Sequence, residues 1–231
     1  MSSPTTSLRA AVVLCGSGRG DGSEIHESVS ILTHCARLGI AYQCFAPDQP
    51  QADTINHLTG KPEGPARNCL IEGARIARGN ILPLTELEAG DYDMLLFPGG
   101  FGAAKNLCTF AAQGPACTVL ADVQRVLRAF HAAGKPIGLA CIAPVLAARI
   151  FGKAGGGPGV TITLGAPGPS ADAAVAMGAT HRPLAVTEAC TDQTMRIITT
   201  PAYMDDEATP WQVFTGIGKL VDAAAAMAAK R

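Results

Sequence analysis

The chain has 231 residues, of which 48% are hydrophobic, and its formal net charge is −1. This length can bury a sizeable core in one large or two small domains. The near-zero charge, without a basic block, argues against nucleic acid as a main partner, and no apolar run is long enough to span a bilayer.

The first half of the chain predicts alternating strands and helices. The continuous apolar run at 8–15 is typical of a buried parallel strand, and a glycine-rich loop follows at 16–22. Apolar residues at helical spacing then predict a helix over 23–38. The next expected elements are a strand at 40–45, an irregular stretch at 48–66, a helix at 67–78 and a strand at 93–97.

The second half continues the alternation. We expect a helix at 119–130, a strand at 137–140, a helix from 141 to about 150, a strand at 160–164, a helix at 170–177, a strand at 195–199 and a helix from about 210. The pattern predicts one α/β domain, residues 8–231, with a mostly parallel sheet covered by helices on both faces. The loops at 16–22, 98–106 and 140–143 all follow strands, so they should meet at the carboxyl edge of the sheet.

The N-terminus and the cysteines bear on the compartment. Residues 1–9 are polar, rich in Ser and Thr, and lack an apolar signal core, so we expect a flexible segment at 1–7 and a cytoplasmic protein. The eight cysteines are scattered and form no Cys-x-x-Cys pair. This distribution predicts reduced thiols rather than a disulfide scaffold or a zinc ribbon.

Cys141 is the most informative residue because a short apolar strand is expected to turn sharply into a helix at this point. Such an elbow exposes the side chain at the sheet edge, and the following helix N-terminus stabilises a thiolate and lowers the thiol pKa. Ala140 and Ala143 are small enough for a tight turn, and Pro144 is tolerated in a first helical turn. The alternative is that Cys141 is one more buried, unreactive cysteine.

Glu24 is the candidate partner of the thiol. If Asp21 caps the first helix, Glu24 is the third residue of a capping box and has a structural role. The functional interpretation places its carboxyl beside Cys141, where a raised pKa would let it share and transfer a proton. His26 and Glu27 should then point elsewhere, because successive helical residues are 100° apart.

Glycines follow the third core strand in the run 98–102. Gly99 and Gly100 permit close backbone approach, and N–H groups here and at Ile142 could face a developing oxyanion. The alternative is an ordinary strand-to-helix loop. The glycines at 16–22 have the wrong spacing for a dinucleotide-binding fingerprint, so we expect no nucleotide cofactor.

Histidine and metal signals are weak. His34 and His131 fall within predicted helices, while His57 lies in a loop and could line a pocket. His181 is not followed by the glutamate of a His-x-Glu pair. Without a His-x-x-x-His motif or a His/Cys cluster, we expect no metal site.

Several runs together carry a resemblance to a known family. They are GSEIHE at 22–27, NHLTG at 56–60, RN at 67–68, PGGFGAAKN at 98–106, CIAP at 141–144 and TTPAYM at 199–204. The chain closely resembles the ElbB-type glyoxalases of the class I glutamine-amidotransferase-like (ThiJ/PfpI) superfamily, from about residue 8 to 222. The resemblance implies a flavodoxin-like sandwich and a homodimer.

The same resemblance implies a reaction. Cys141 would be the elbow nucleophile and Glu24 its carboxyl partner in a cofactor-independent conversion of glyoxal to glycolate, an activity that could reflect deglycation. The small aldehyde would bind in a pocket that Arg67, Asn68, Lys105 and Asn106 are candidates for shaping. The alternative is that each of them caps a helix or lies at the surface. Neither membrane nor nucleic acid is expected as a partner.

Two departures from the superfamily matter. Its peptidases place a histidine directly after the nucleophile, where this chain has Ile142, and its amidotransferases carry a late His-x-Glu that is missing here. Peptidase and amidotransferase activity are therefore not expected. Two non-enzymatic alternatives remain open: a redox or electrophile sensor that oxidises Cys141, and a metabolite-binding protein that has lost catalysis.

Overall fold

The computed structural model describes residues 8–230, so the flexible segment expected at 1–7 lies outside the described residues. The strands are β1 (Arg9–Val13), β2 (Ala41–Ala46), β3 (Ile55–Asn56), β4 (Lys61–Pro62), β5 (Ile81–Pro83), β6 (Met94–Phe97), β7 (Ile137–Ala140), β8 (Thr161–Ile162), β9 (Thr180–His181), β10 (Cys190–Asp192) and β11 (Ile197–Thr200). The α-helices are α1 (Ile25–Arg37), α2 (Cys69–Ile76), α3 (Phe101–Lys105), α4 (Phe110–Gln113), α5 (Ala121–Ala132), α6 (Pro144–Phe151), α7 (Pro169–Ala176) and α8 (Pro210–Ala228).

The central sheet has the strand order β10-β11-β7-β6-β1-β2-β5, counted over residues 8–230. Every neighbouring pair in it is parallel except β10 and β11, which are antiparallel. From β1 the chain first builds the sheet towards β2 and β5, and then returns to the other side of β1 to add β6, β7 and β11. The neighbours β1 and β6 therefore form the point at which the strand order reverses, where ligand sites of open α/β sheets usually lie.

Helices cover both faces of this sheet, which explains the continuous apolar strands in the sequence. In β1, Ala11 and Val13 pack into one core cluster with residues of α5 and α6. Ala10 and Val12 point to the opposite face and pack with residues of α1 and α8. A strand buried on both faces has no polar side, so its sequence shows no alternation. The predicted α/β sandwich with a mostly parallel sheet is thus confirmed.

The prediction missed some elements at the edges of the sheet. β5 and β10 have three residues each and occupy the two edge positions. The strand expected at 160–164 is only a two-residue strand, β8, and it pairs with β9 outside the central sheet. The stretch at 98–106, expected as a loop, contains the short helix α3.

Among the helices of residues 8–230, none has the length and apolar character needed to cross a lipid bilayer.

The loops after β1 and β6 are held together at the carboxyl edge by backbone hydrogen bonds. The N–H of Glu24 donates to the carbonyl of Gly99 over 3.0 Å, and that of Gly102 donates to the carbonyl of Gly22, also over 3.0 Å. The backbones approach so closely that a Cβ added at Gly102 would lie 2.6 Å from backbone atoms of Gly22. Gly102 lies in helix α3, where the backbone conformation suits any residue. A glycine is therefore needed at this position only because there is no space for a Cβ.

Gly102→Ala tests this close approach. We expect it to lower the free energy of unfolding by about 1–3 kcal/mol, the usual cost of overpacking, because the loop after β1 must move away. The control is Gly90→Ala, since a Cβ at Gly90 meets nothing within 4 Å. Urea denaturation measures both, and equal stabilities for the two variants would contradict the assignment.

Candidate active site

Cys141 stands at the turn between β7 and α6, as the sequence predicts. Its φ of 57° is left-handed, an uncommon conformation for a residue other than glycine. The N–H of Cys141 donates to the carbonyl of Thr200 on the neighbouring strand over 3.0 Å, and Pro144 opens helix α6. Ala140 and Ala143 are fully buried on either side. This strained, sharp turn is the geometry of a nucleophile elbow.

Cys141 also differs from the other cysteines in its access to solvent. Its relative exposure is 7%, whereas the remaining seven range from 0% to 4%. All eight thiols are unpaired. Cys141 is therefore the most accessible thiol of the chain, although its sulfur still lies in a largely dry environment.

The sulfur of Cys141 is surrounded by hydrogen-bonding groups. The backbone N–H groups of Gly100 and Ile142 donate to it and favour the thiolate. Burial and the neighbouring Glu27 carboxylate act in the opposite direction and raise the pKa of the thiol well above its ordinary value. The expectation of a lowered pKa is therefore wrong for this resting arrangement, because desolvation and a buried like charge outweigh the helix terminus.

Glu27 is the carboxyl that contacts the thiol. Its side chain is fully buried and hydrogen-bonds Cys141. The N–H of Gly99 donates to Oε2 over 2.7 Å, and the N–H of Tyr203 donates to Oε1 over 3.3 Å. Burial, and secondly the charge of Glu24, raise the pKa of Glu27 to about 7. At neutral pH this carboxyl therefore holds or releases a proton readily, directly beside the sulfur.

The expectation that Glu27 points away from Cys141 is wrong, and the reason lies in where the helix begins. One of the two sequence interpretations of Glu24 had Asp21 as the cap, which would make Glu24 the third helical residue. The observed N-cap is Glu24 itself, and α1 begins at Ile25. Glu27 is therefore the third helical residue, and the first turn of α1 carries it under the loop after β6.

Glu24 is at the site in a different role from the one expected. Its Oε2 accepts from the N–H of Glu27 over 2.8 Å, so one carboxylate oxygen caps helix α1. The side chain also lines the cavity that opens at Cys141, and its relative exposure is 9%. The structural and functional interpretations of Glu24 are thus compatible, because the cap uses Oε2 and does not engage Oε1.

Gly99 and Gly100 are positioned as the sequence suggests. A Cβ added at Gly99 would lie 2.5 Å from the Cβ of Cys141, so only glycine allows this approach of the loop to the elbow. Gly100 has a φ of 89°, which side-chain-bearing residues rarely adopt. In the structure the N–H of Gly99 holds Glu27, while the N–H of Gly100 holds the sulfur.

A cavity of about 240 Å³ opens at the elbow. Most of its wall is apolar, and the ion pair between Arg19 and Asp206, 2.9 Å long, lies at its margin. The lining residues are Arg19, Glu24, Gly100, Phe101, Ala104, Phe110, Ala111, Cys141, Ile142, Ser170, Tyr203, Met204 and Asp206. A small organic molecule can therefore reach the sulfur of Cys141 and the carboxyl of Glu24 together.

Two of the expected pocket residues, Lys105 and Asn106, connect loops instead of lining the cavity. The Nδ2 of Asn106 donates to the carbonyl of Cys15 over 2.9 Å and to that of Asp21 over 2.8 Å. Lys105 forms a 2.7 Å ion pair with Asp53 and faces a neighbouring cleft. Asn106 thus fixes the loop after β1 from behind, without contact with the cavity.

The other two expected residues, Arg67 and Asn68, lie farther along the sheet edge. Asn68 is the N-cap of α2, where its side chain accepts two backbone N–H groups of the first turn. Its Nδ2 donates to Asp48 over 2.8 Å. Arg67 approaches Glu72 at 3.8 Å and lines a separate cleft with His57. The structure does not bring either residue to Cys141.

Sequence reasoning missed Tyr203. Its N–H donates to Glu27, it lines the cavity, and its hydroxyl lies 2.8 Å from Nδ1 of His26. The only signal was its place in the run 199–204, which contributed to the family resemblance without suggesting a role. Over residues 8–230 no group of three or more His, Cys, Asp or Glu side chains is arranged to hold a metal ion.

Comparison with curated proteins places the chain among known relatives. No family model matches it. The human glutamine amidotransferase-like class 1 domain-containing protein 3, named as mitochondrial, is 48% identical over 231 aligned residues, which cover 96% of this chain and 84% of the human protein. The zebrafish (Danio rerio) ES1 protein, also named as mitochondrial, is 36% identical and is covered to 86%, against 95% of this chain.

Solved structures show the same fold. An isoprenoid biosynthesis protein with an amidotransferase-like domain from Ehrlichia chaffeensis superposes with a TM-score of 0.88 at 31% identity, over 96% of this chain and 99% of that one. Glyoxalase III from Candida albicans has a TM-score of 0.56 at 16% identity, over 94% and 97% of the two chains. Drosophila melanogaster DJ-1β has a TM-score of 0.54 at 17% identity, over 97% of each. The last two likenesses concern the fold alone.

Fold and site together define a class I glutamine-amidotransferase-like protein, with a cysteine on the elbow after a central parallel strand. At 48% identity over nearly the whole chain, the relationship to the human protein is specific. This chain belongs to the family of glutamine amidotransferase-like class 1 domain proteins that includes the ES1 proteins.

The comparisons correct the predicted compartment, and they support the predicted superfamily without its ElbB-type subgroup. The prediction of a cytoplasmic protein is wrong, because the human, rat and zebrafish relatives are all named as mitochondrial proteins. The resemblance to the superfamily is confirmed, whereas the ElbB-type subgroup is not among the matches that establish the family.

Replacing Glu27 by Gln tests its raised pKa. The folded state keeps the Glu27 proton up to about pH 7, whereas the unfolded chain releases it near pH 4.5. The stability that this proton contributes is complete below pH 4.5 and is lost as the pH rises through about 7. Relative to the Glu27→Gln variant, wild type should lose about 3 kcal/mol of unfolding free energy across this range.

Urea denaturation at a series of pH values measures the effect. Glu86→Gln, at an exposed glutamate, serves as the control and should retain the pH dependence of wild type. Parallel stability curves for wild type and Glu27→Gln would show that Glu27 has an ordinary pKa.

Proposed function

We propose that this protein is a cofactor-independent glyoxalase that converts a small 2-oxoaldehyde such as glyoxal to the corresponding hydroxy acid. The observation that carries the proposal is the hydrogen bond between the buried Glu27 and Cys141, which itself lines a cavity that Glu24 also lines. A thiol that shares its proton with a buried carboxyl can form a nucleophile without an external base.

The first step is addition of sulfur to the aldehyde. Glu27 takes the thiol proton, and the Cys141 thiolate attacks one aldehyde carbon, C1. The new bond joins sulfur to C1, and the proton held by Glu27 passes to the oxygen on C1, which gives a hemithioacetal. In the resting state the N–H groups of Gly100 and Ile142 stabilise the thiolate. Once the sulfur is bonded to carbon, the same donors are available to the substrate oxygens.

The second step moves the oxidation level from one carbon to the other. In our proposal Glu24 takes the hydrogen of C1 as a proton and returns it to the second carbon, C2. The hydroxyl on C1 loses its proton, and the oxygen on C2 gains one. C1 becomes a thioester carbonyl and C2 a hydroxymethyl group. Water then attacks the thioester, the C–S bond breaks, and the thiol is regenerated. The sum is glyoxal plus water giving glycolate, so no metal, nucleotide or glutathione is consumed.

Other properties of the chain are consistent with this function. The cavity of about 240 Å³ is small, which suits a low-molecular-weight aldehyde. The fold is shared with Candida albicans glyoxalase III, although at 16% identity this likeness speaks only for the scaffold. The mitochondrial names of the relatives lead us to propose the mitochondrion as the compartment. We further propose that the protein is a homodimer.

A redox or electrophile sensor is the second candidate. It is favoured by the exposure of Cys141, which is the greatest of the eight cysteines. A sulfinic acid at Cys141 could hydrogen-bond a protonated Glu27, whose pKa burial raises. Peroxide titration followed by mass spectrometry of each cysteine tests this role. Oxidation of Cys141 at doses that spare the other seven, in a protein without glyoxal turnover, would favour the sensor.

Glycolate production from glyoxal, without added metal or glutathione, tests the enzyme. We expect Cys141→Ala to abolish turnover, and Glu27→Gln and Glu24→Gln each to reduce kcat by about 10²–10⁴-fold, the usual range for lost acid–base catalysis. Cys190→Ala is the matched control, since this buried cysteine lies on the edge strand β10 and should leave kcat unchanged. A wild-type rate no higher than that of Cys141→Ala would refute the proposed function.

A further inference from the structure

The isomerisation step of the glyoxalase scheme needs a group that gives a proton to the oxygen on C2 and takes one from the hydroxyl on C1. Glu27 is engaged with the sulfur and Glu24 with the carbon-bound proton. The residue after the nucleophile is Ile142, which has no proton to exchange. A second acid–base group must therefore come from elsewhere in the cavity wall.

Tyr203 brings such a group into the wall. It lines the same cavity as Cys141 and Glu24, and its hydroxyl lies 2.8 Å from Nδ1 of His26. The two rings are tilted at 46° with centroids 5.8 Å apart, and His26 is exposed to solvent. Tyr203 thus contacts both the cavity and a solvent-exposed histidine.

The backbone around Tyr203 is fixed relative to the reactive pair. The N–H of Tyr203 donates to Oε1 of Glu27, the carboxyl that hydrogen-bonds Cys141. Ala202, directly before it, is fully buried and has a φ of 45°, a conformation that alanine rarely adopts. Strained residues of this kind persist where the surrounding structure holds them, and they cluster at active sites.

We propose that Tyr203 is a catalytic acid–base residue that transfers protons to and from the substrate oxygens during the isomerisation, and that His26 is its positioning residue. This inference rests on the proposed glyoxalase function. It assigns the oxygen proton transfers to a tyrosine–histidine pair contributed by the chain segment after β11 and by helix α1, which are far apart in the sequence.

Tyr203 gives up one proton and regains one during the isomerisation. When Glu24 takes the proton from C1, the electron pair of that bond forms a C1=C2 double bond, and the Tyr203 hydroxyl donates its proton to the oxygen on C2. The product is an enediol bonded to sulfur. Glu24 then returns its proton to C2, and the hydroxyl on C1 gives its proton to the Tyr203 phenolate. The thioester forms, and both side chains regain their starting states.

The electrostatic environment favours a protonated Tyr203 before the reaction. Burial, and then the charges of Glu24 and Glu27, raise the pKa of its hydroxyl. The group therefore starts as an acid. In this state Nδ1 of His26 accepts a hydrogen bond from the hydroxyl. When the hydroxyl proton has moved to the substrate, a protonated Nδ1 would donate a hydrogen bond to the phenolate oxygen.

Four variants test the pair on glyoxal. Tyr203→Phe keeps the ring and removes the hydroxyl, and Tyr42→Phe is the matched control, because Tyr42 lies on β2 outside the cavity. His26→Ala removes the hydrogen bond to Tyr203, and His26→Asn places an amide close to the position of Nδ1. For each variant we would measure kcat, KM and the rate at which iodoacetamide alkylates Cys141, the last being independent of turnover.

We expect Tyr203→Phe to lower kcat by about 10²-fold, with KM and the alkylation rate within about twofold of wild type. His26→Ala should lower kcat by about 10-fold and His26→Asn should recover part of this loss, while Tyr42→Phe should behave as wild type. An unchanged kcat in Tyr203→Phe, in an enzyme that Cys141→Ala inactivates, would overturn this inference and leave the glyoxalase function standing.

Two other outcomes would also overturn the inference. A fall in the alkylation rate of Tyr203→Phe in parallel with kcat would show that the tyrosine merely supports the reactive pair. Absence of wild-type turnover that depends on Cys141 would remove the glyoxalase function itself, and with it the role of Tyr203.

Discussion

The hydrogen bond between Glu27 and Cys141 is the interaction on which the organisation of this site depends. A fully buried carboxyl is costly unless its oxygens are bonded, and here they receive the N–H groups of Gly99 and Tyr203 as well as the thiol. These partners come from the segments after β6, β11 and β7, so satisfying one carboxyl fixes the relative position of several loops. Burial and the charge of Glu24 raise the pKa of Glu27 to about 7, so this carboxyl can take up or release a proton near neutral pH.

The glycines of the sheet edge make this arrangement sterically possible. The loop after β6 passes so close to the elbow that any side chain at Gly99 would meet the Cβ of Cys141. On its other side the loop packs against the backbone of Gly22, where Gly102 leaves no space for a Cβ. The reactive sulfur is thus enclosed by backbone N–H groups on short, closely packed turns. Such preorganised donors need not be reoriented during a reaction.

The electrostatics of the pair differ from those of a thiolate activated by a helix N-terminus alone. Burial and the Glu27 charge raise the pKa of Cys141, while Gly100 and Ile142 partly offset this effect. Carboxyl and thiol are therefore best described as one unit, in which the position of a proton decides whether sulfur is a nucleophile. An incoming aldehyde favours the thiolate by forming a bond with it. The same property would make the sulfur sensitive to peroxide, so glyoxalase and sensor roles share one physical origin.

The sequence by itself determined the alternation of strands and helices, the buried character of the central strands and the elbow at Cys141, because these features depend on local patterns of apolar and small residues. Edge strands such as β5 and β10 were missed, since three-residue strands carry too little pattern to detect. The run 98–102 was correctly assigned to the sheet edge. Lys105, Asn106, Arg67 and Asn68 were candidates for a pocket, with a helix cap or surface role as the alternative. The structure uses Asn68 as a helix cap, and Lys105 and Asn106 to join loops.

Only the tertiary structure decided which carboxyl meets the sulfur. The helix is capped by Glu24 and not by Asp21, the alternative that the sequence left open, so Glu27 and not Glu24 lies against the thiol. A boundary shift of three residues is too small for sequence patterns to decide. The contact of Tyr203 with His26 joins residues 177 positions apart, so it arises solely from the packing of the chain after β11 against α1. Local propensity determines the elements, whereas the chemistry depends on contacts between distant residues that only the folded sheet brings to one edge.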